Sequence, residues 1–279
     1  MQHIPIFLIN LDRSTDRLED ISHRLSSIGL TFERISAVNS ETIDEEQEKR
    51  LFSYSSGHLP LGKGEMGCFL SHRKVWQEIV DRGLKWAFVA EDDLHLSHAT
   101  PFFETTDWLP EAAHIVKAET ARQKVFLSTD LQSEVSGHEL RRLQSYHGGS
   151  AGYFVSAKGA ALLLKESERK CDALDHVLFH PWIGIVQQMA VYQMDPAICV
   201  QDYLLRGPQK RGFRSTLNTD RKDSRQAQGL KGKPKGLAKL WRELSRPFTR
   251  LGRRALDAAR NLSGTARIKF IPYVGDKTP

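Results

Sequence analysis

The run Ile6–Leu11 (IFLINL) most narrows what this chain can fold into. It is apolar on consecutive rather than alternate positions, so it has no polar face to turn to water. It therefore reads as a short strand covered on both sides, as in the interior of a parallel sheet. The period then changes. After Ser14, a candidate N-cap, Leu18, Ile21, Leu25 and Ile28 recur at helical spacing over Thr15–Ile28, and Gly29 ends the run. Phe32–Ile35 reads as a second strand, followed by a polar, acidic loop to about Gly64. Gly64–Val80 is a helix carrying Met66, Phe69, Leu70, Val75, Trp76 and Ile79. Trp86–Ala90 (WAFVA) is the most apolar strand of all, Val125–Ser128 and Tyr153–Ser156 are two more, and Lys158–Leu164 is a helix. Strands alternating with helices predict an α/β layer architecture with a mostly parallel central sheet.

Composition adds exclusions. Three cysteines, Cys68, Cys171 and Cys199, are too few and too scattered for a disulfide framework or a four-cysteine zinc site, and a reducing cytoplasm is the expected setting. No stretch approaches the ~18 apolar residues of a membrane span, and the first residues lack the basic start of a secretory signal. The net charge of +6 averages two opposed regions. Residues 1–205 hold 20 Lys/Arg against 29 Asp/Glu, or −9; residues 206–279 hold 20 against 5, or +15. The expected division is a body at 1–219, a flexible linker at 220–236 containing GLKGKPKG, and a basic tail at 237–279. From Leu237 to Leu262 apolar residues fall at helical spacing between Lys and Arg, a basic amphipathic helix divided at Pro247. Such a helix suits an anionic membrane surface, and it equally suits packing on the body or a partner subunit. A module that binds nucleic acid or membrane through this +15 region is the alternative function. Scattered aromatics and the acidic body weigh against nucleic acid.

The chemistry is concentrated at Glu91-Asp92-Asp93, directly after the WAFVA strand. In an extended chain Glu91 and Asp93 project to one face and Asp92 to the other. The carboxyl ends of strands are where open α/β sheets bind ligands. Adjacent carboxylates repel unless a cation joins them, and magnesium or manganese held there would neutralise a substrate diphosphate. A solvated acidic turn is the other reading. Asp175-His176 offers a second metal ligand or a proton acceptor, or simply a structural hydrogen bond. His72 is a candidate on the same terms, against a packed helix histidine, and Cys68 reads as a small core residue rather than a nucleophile.

Together the segments resemble glycosyltransferase family 25, the bacterial lipooligosaccharide and lipopolysaccharide galactosyltransferases and their collagen-modifying relatives. The resemblance rests on Ile9-Asn10-Leu11-Asp12-Arg13 with Asp16-Arg17, on Gly64-Glu65-Met66-Gly67-Cys68-Phe69-Leu70-Ser71-His72, and on Glu91-Asp92-Asp93. It continues through Gly152–Ser156 with Lys158-Gly159-Ala160, Asp175-His176 and Pro196…Gln201, in that order over about residues 4–217. The chain departs from the family pattern at Ser150-Ala151-Gly152, at Ala173-Leu174 and at Ser215-Thr216-Leu217. The resemblance implies a GT-A-type nucleotide-sugar transferase fold for the body, to which the spacing read above adds a basic helical C-terminal tail. It also implies a UDP-sugar donor, usually UDP-galactose, and transfer with inversion onto a lipooligosaccharide-type acceptor. On that expectation Asp93 is the main ligand of a divalent metal, Mn2+ by preference, with Glu91 and His176 assisting. Asn10, Arg13, Arg17, Glu91 and Asp92 bind the donor, Asp175 is the general base, and Ser71 and His72 are further candidates. A lipid-linked acceptor places the enzyme on the cytoplasmic face of the bacterial inner membrane, with no nucleic-acid partner.

Overall fold

The computed structural model describes residues 3–52, 61–97, 101–168, 171–181, 188–206 and 264–276. The chain runs β1 (Ile6–Asn10), α1 (Thr15–Ser27), β2 (Glu33–Ser36), α2 (Glu45–Phe52), α3 (Lys63–Asp81), β3 (Trp86–Glu91), β4 (Leu94–Leu96) and α4 (Pro101–Glu104). It continues with β5 (Ile115–Lys117), β6 (Lys124–Val135), β7 (His138–Leu143), β8 (Gly152–Ser156), α5 (Ala157–Glu166), α6 (Leu174–Phe179), β9 (Val191–Asp195), β10 (Cys199–Gln201), α7 (Asp202–Arg206) and β11 (Ala266–Phe270).

Nine strands form one sheet in the order β11-β6-β7-β9-β5-β8-β3-β1-β2, and β10 and β4 pair separately. Both faces of the sheet are covered, which is why β1 and β3 carry no polar alternation. Phe7, Ile9, Ala87 and Val89 pack beneath α3 and α5 with Phe69, Trp76, Ile79 and Leu163. Ile6, Leu8, Trp86 and Phe88 face the other way, onto Ile21 and Leu25 of α1 and onto Phe102 and Phe103 of α4.

The expected mostly parallel sheet is corrected to a mixed one. β1 runs parallel to β2 and β3, and β5 to β9. The other five pairings, including β3 with β8 and β6 with β7, are antiparallel. The acidic stretch expected to be loop contains α2. Asp44 Oδ1 accepts from Gln47 N at 2.7 Å, capping the helix, and Phe52 closes edge-on against Phe69 at 5.8 Å. Ser14 stands at the start of α1, but its hydroxyl makes no capping bond.

Residues 264–276, expected to belong to the tail, are built into the body. β11 adds antiparallel to the edge of β6, from Ala266 opposite Ser128 to Phe270 opposite Lys124. Thr120 Oγ1 then donates to Ile271 O at 2.6 Å, and Ala197 N to Pro272 O at 2.9 Å. The linker at 220–236 and the basic segment from Leu237 to Leu262 lie outside the described residues. Among the described residues no helix is long and apolar enough to cross a membrane.

Candidate active site

β2, β1 and β3 end side by side, with Asn10 opposite Ser36 and Ile9 opposite Glu91. The cleft outside their carboxyl ends has a volume of about 220 Å³ and is closed on its far side by the first turns of α3. That helix comes close because Gly67 has no side chain: a Cβ there would lie 2.9 Å from Val38 O. Ser71 fastens the approach, accepting from Val38 N at 2.8 Å and donating to Gly67 O at 2.6 Å. Its hydroxyl is thus engaged on both sides within the wall.

The chain turns at Asp92-Asp93 instead of staying extended, so the expected alternation of the three acids does not hold. Asp92 points into the cleft and is bound on both oxygens, by Arg17 Nη1 at 3.0 Å on Oδ1 and by Asn10 Nδ2 at 2.9 Å on Oδ2. Asn10 is itself held by Arg34 Nε, which donates to Oδ1 at 3.0 Å. Arg13 lines the same cleft with its side chain 56% exposed and donates to Asn39 Oδ1 at 3.2 Å.

Glu91 and Asp93 have no such cations. Burial and the neighbouring Asp92 charge push the Glu91 carboxyl up to about 7. Burial and the Glu91 charge raise Asp93 well above the carboxylate range, and its Oδ1 is buried with no hydrogen-bond partner. Two carboxyls raised by burial and by neighbouring carboxylates, one carrying an orphaned oxygen, form a donor set that could hold a hard divalent cation. Glu91 Oε1 accepts from Ser150 Oγ at 3.3 Å and lies 3.3 Å from His72 Nε2. Burial pushes His72 down to about 3, so the ring is neutral at neutral pH.

Asp175 begins α6. Its Oδ2 accepts from Tyr146 Oη at 2.6 Å and its Oδ1 from His176 N at 3.0 Å. Its charge raises both Glu91 and Cys68, which sets it near the cleft's acidic end. The structure does not gather Asp93, Glu91 and His176 into one ligand set. His176 Nδ1 lies 3.7 Å from Asp172 Oδ1, and its ring packs on Tyr146 and His180. Among the described residues the group of three with ligand atoms mutually within 4.8 Å is Cys68, His72 and Glu91. The Cys68 thiol is raised well up by burial, in keeping with a packed cysteine rather than a nucleophile.

Several residues of the site carried no signal in the sequence reading. Lys117 and Glu119 form a fully buried pair at 3.2 Å. Lys117 also donates to Gly149 O, and Glu119 Oε2 accepts from Ala151 N at 2.9 Å. The pair thereby fixes the segment that presents Ser150 to Glu91. A lysine at the end of a short strand and a glutamate two residues on look like any solvated alternation. Only the apolar Ile115 and Val116 before them hint at burial.

A transferase cleft of this kind, at strand ends and walled by acids and arginines, agrees with comparison to known proteins. Residues 3–178 match the model of glycosyltransferase family 25 (LPS biosynthesis protein), and the chain belongs to that family. It is a glycosyltransferase. The lacto-N-neotetraose biosynthesis glycosyltransferase LgtE of Neisseria gonorrhoeae is 29% identical over 205 residues, covering 70% of this chain and 73% of that protein. Lipooligosaccharide biosynthesis protein lic2B of Haemophilus influenzae is 28% identical over 260 residues, 85% of this chain and 95% of that one. Procollagen galactosyltransferase 1 of Danio rerio is 32% identical over 180 residues, 59% of this chain and 29% of its own length. The alternative of a binding module acting through the basic region finds no support in these matches.

Proposed function

We propose that this chain is a GT-A-type, metal-dependent, inverting galactosyltransferase that moves galactose from UDP-galactose onto a lipooligosaccharide-type, lipid-linked acceptor. The observation that carries the reading is the state of the acidic cluster: Asp92 is clamped by Arg17 and Asn10, while, among the described residues, the partly buried Glu91 and the buried Asp93 carry no hydrogen bond from a lysine or arginine and Asp93 Oδ1 has no partner. Glu91 and Asp93 would hold the metal, manganese by preference, through oxygen atoms alone. When bound, it supplies positive charge against the charge that develops on the diphosphate leaving group. The relatives' names, one in lipooligosaccharide biosynthesis, one in lacto-N-neotetraose biosynthesis and one a galactosyltransferase, support the donor and acceptor classes.

The chain's own residues do the rest. Arg13 and Arg17 line the cleft with positive charge for the nucleotide, and Asp92 keeps Arg17 in place. In a single displacement the acceptor oxygen bonds to the sugar's anomeric carbon as the bond to the diphosphate breaks. Asp175 takes the hydroxyl proton, its carboxylate aimed by Tyr146. The basic segment would hold the enzyme to the anionic inner face of the bacterial inner membrane, where a lipid-linked acceptor resides.

The test is UDP release from a panel of UDP-sugars, with and without Mn2+, on wild type and Asp93→Ala. Metal-dependent turnover of UDP-galactose that Asp93→Ala abolishes is the expected result. Turnover unaffected by a chelator, or by the substitution, overturns the metal reading. Turnover of another UDP-sugar alone overturns galactose.

A further inference from the structure

Cys68 and His72 stand one helical turn apart on α3 with Glu91 opposite, and by distance alone they form a thiol–imidazole–carboxylate metal site. The hydrogen bonds behind His72 assign it a different task. Trp76 Nε1, which can only donate, lies 2.9 Å from Tyr153 Oη. Tyr153 Oη lies 2.9 Å from His72 Nδ1, and both side chains, like that of Trp76, are sealed from solvent. The tyrosine oxygen therefore accepts from the indole, and its own proton has one acceptor in reach, His72 Nδ1. With Nδ1 accepting, the ring proton of a neutral imidazole sits on Nε2, which faces Glu91 Oε1 at 3.3 Å.

We propose that His72 is a positioning residue for Glu91, donating Nε2–H to its Oε1 in a tautomer set from the core by Trp76 through Tyr153. A metal on Nε2 would require the proton to move to Nδ1. Tyr153 Oη would then face two donors, and its own buried proton would have no acceptor, a state that folded interiors avoid. The consequence lies on Glu91. Oε1 receives His72 and Ser150 together, which leaves Oε2 as the oxygen presented to whatever occupies the cleft. The sequence block Ser71-His72 thus divides its labour: Ser71 holds the cleft wall to α3, and His72 aims the carboxylate. The proposal rests on Glu91 acting in the transferase site, but its main readout needs no substrate.

The experiment is two-bond ¹H–¹⁵N correlation on the full chain labelled with ¹⁵N-histidine, the His72 signals assigned by their loss in His72→Gln. The expected result is an Nε2–H tautomer with an unprotonated, hydrogen-bonded Nδ1, unchanged when Zn2+ is added. An Nδ1–H tautomer, or Zn2+ shifting Nε2 to a metal-bound signature, overturns the proposal. Tyr153→Phe removes the hydrogen bond at Nδ1, and the Nδ1 signal is expected to move to that of an unprotonated nitrogen with no donor; an unmoved Nδ1 signal overturns the role given to Trp76 and Tyr153. In turnover, His72→Leu is expected to lower kcat by about tenfold or more, the usual scale for losing a residue that orients a site carboxylate. His72→Gln, which keeps an N–H where Nε2 stood, recovers most of that loss. Equal losses in both variants overturn the proposal, whereas a wild type inactive on every UDP-sugar, with the tautomer as expected, counts against the proposed reaction and not against His72.

Discussion

Gly149 is the position where the site's buried electrostatics can be weighed against backbone strain alone. Its φ is +82°, and a Cβ placed there would lie 2.4 Å from Glu119 Oε1 and 2.8 Å from its Cδ. Left-handed backbone costs a non-glycine residue about 1–2 kcal/mol. Glu119 cannot swing aside, because Oε2 is held by Lys117 and by Ala151 N. Moving it breaks a buried ion pair, which costs about 3–5 kcal/mol. Gly137, in the β6–β7 turn, is the control: its φ is +77° and a Cβ there meets nothing within 4 Å. Gly137→Ala should therefore lose only the backbone component, and Gly149→Ala about 3 kcal/mol more, a further fall of about 6–12 °C in Tm for a chain of this size. Paired thermal melts followed by circular dichroism read the difference. Equal shifts in the two variants would mean that Glu119 yields freely and that the Lys117–Glu119 pair does not anchor the Gly149–Ala151 segment.

Three further outcomes follow from the same structure. Asp93→Asn removes a buried carboxylate with an orphaned oxygen, so it should abolish metal-dependent turnover while raising the metal-free Tm; a lower Tm in that variant would count against the orphaned-charge account. Glu91, raised to about 7, keeps its proton below that pH, so a metal must displace it there. The Mn2+ concentration for half-maximal turnover should rise by at least about tenfold for each pH unit below 7, because Asp93 must give up its proton as well, and a flat titration from pH 7 to 5 would sink the assignment. Glu139 is pushed down to about 2 by Arg141 and by Arg267 of β11. A depressed carboxylate stabilises above its unfolded value of 4.5, and that contribution is lost as pH falls toward 2. The protection factors of the β11 amides, corrected for intrinsic exchange, should fall in that window in wild type and already at neutral pH in Glu139→Gln; equal protection in both proteins at neutral pH would exclude the tie.

What could be read from the sequence follows from what burial does to a pattern. β1, β3 and β8 are covered on both faces, so their unbroken apolar runs marked them without ambiguity. β5 and β9 did not stand out: one has three residues and the other carries Gln193 and Asp195 inward, polar groups the fold satisfies through His147 and Lys269. β11 was legible in principle. Ala266, Ile268 and Phe270 alternate with Arg267 and Lys269, a period of two that a count of charges conceals. In the site, the acids and arginines were visible as motif residues. Tyr153 and Trp76, which act on Glu91 from the core, look like any other buried aromatics until their polar atoms are seen to meet.

The return of β11 changes the kind of object that the basic region is. Residues 207–263 connect α7 to β11 along the chain, so this 57-residue stretch is tied to the body at both of its ends rather than at one. If the basic stretch holds the body to a surface, as proposed above, two ties rather than one would narrow the range of angles at which the cleft meets it. Cutting the chain before the stretch would also strip the outermost strand and leave the β6 edge unpaired, a template for association with other chains. Excising the stretch and joining its two ends would remove the charge and leave the sheet whole.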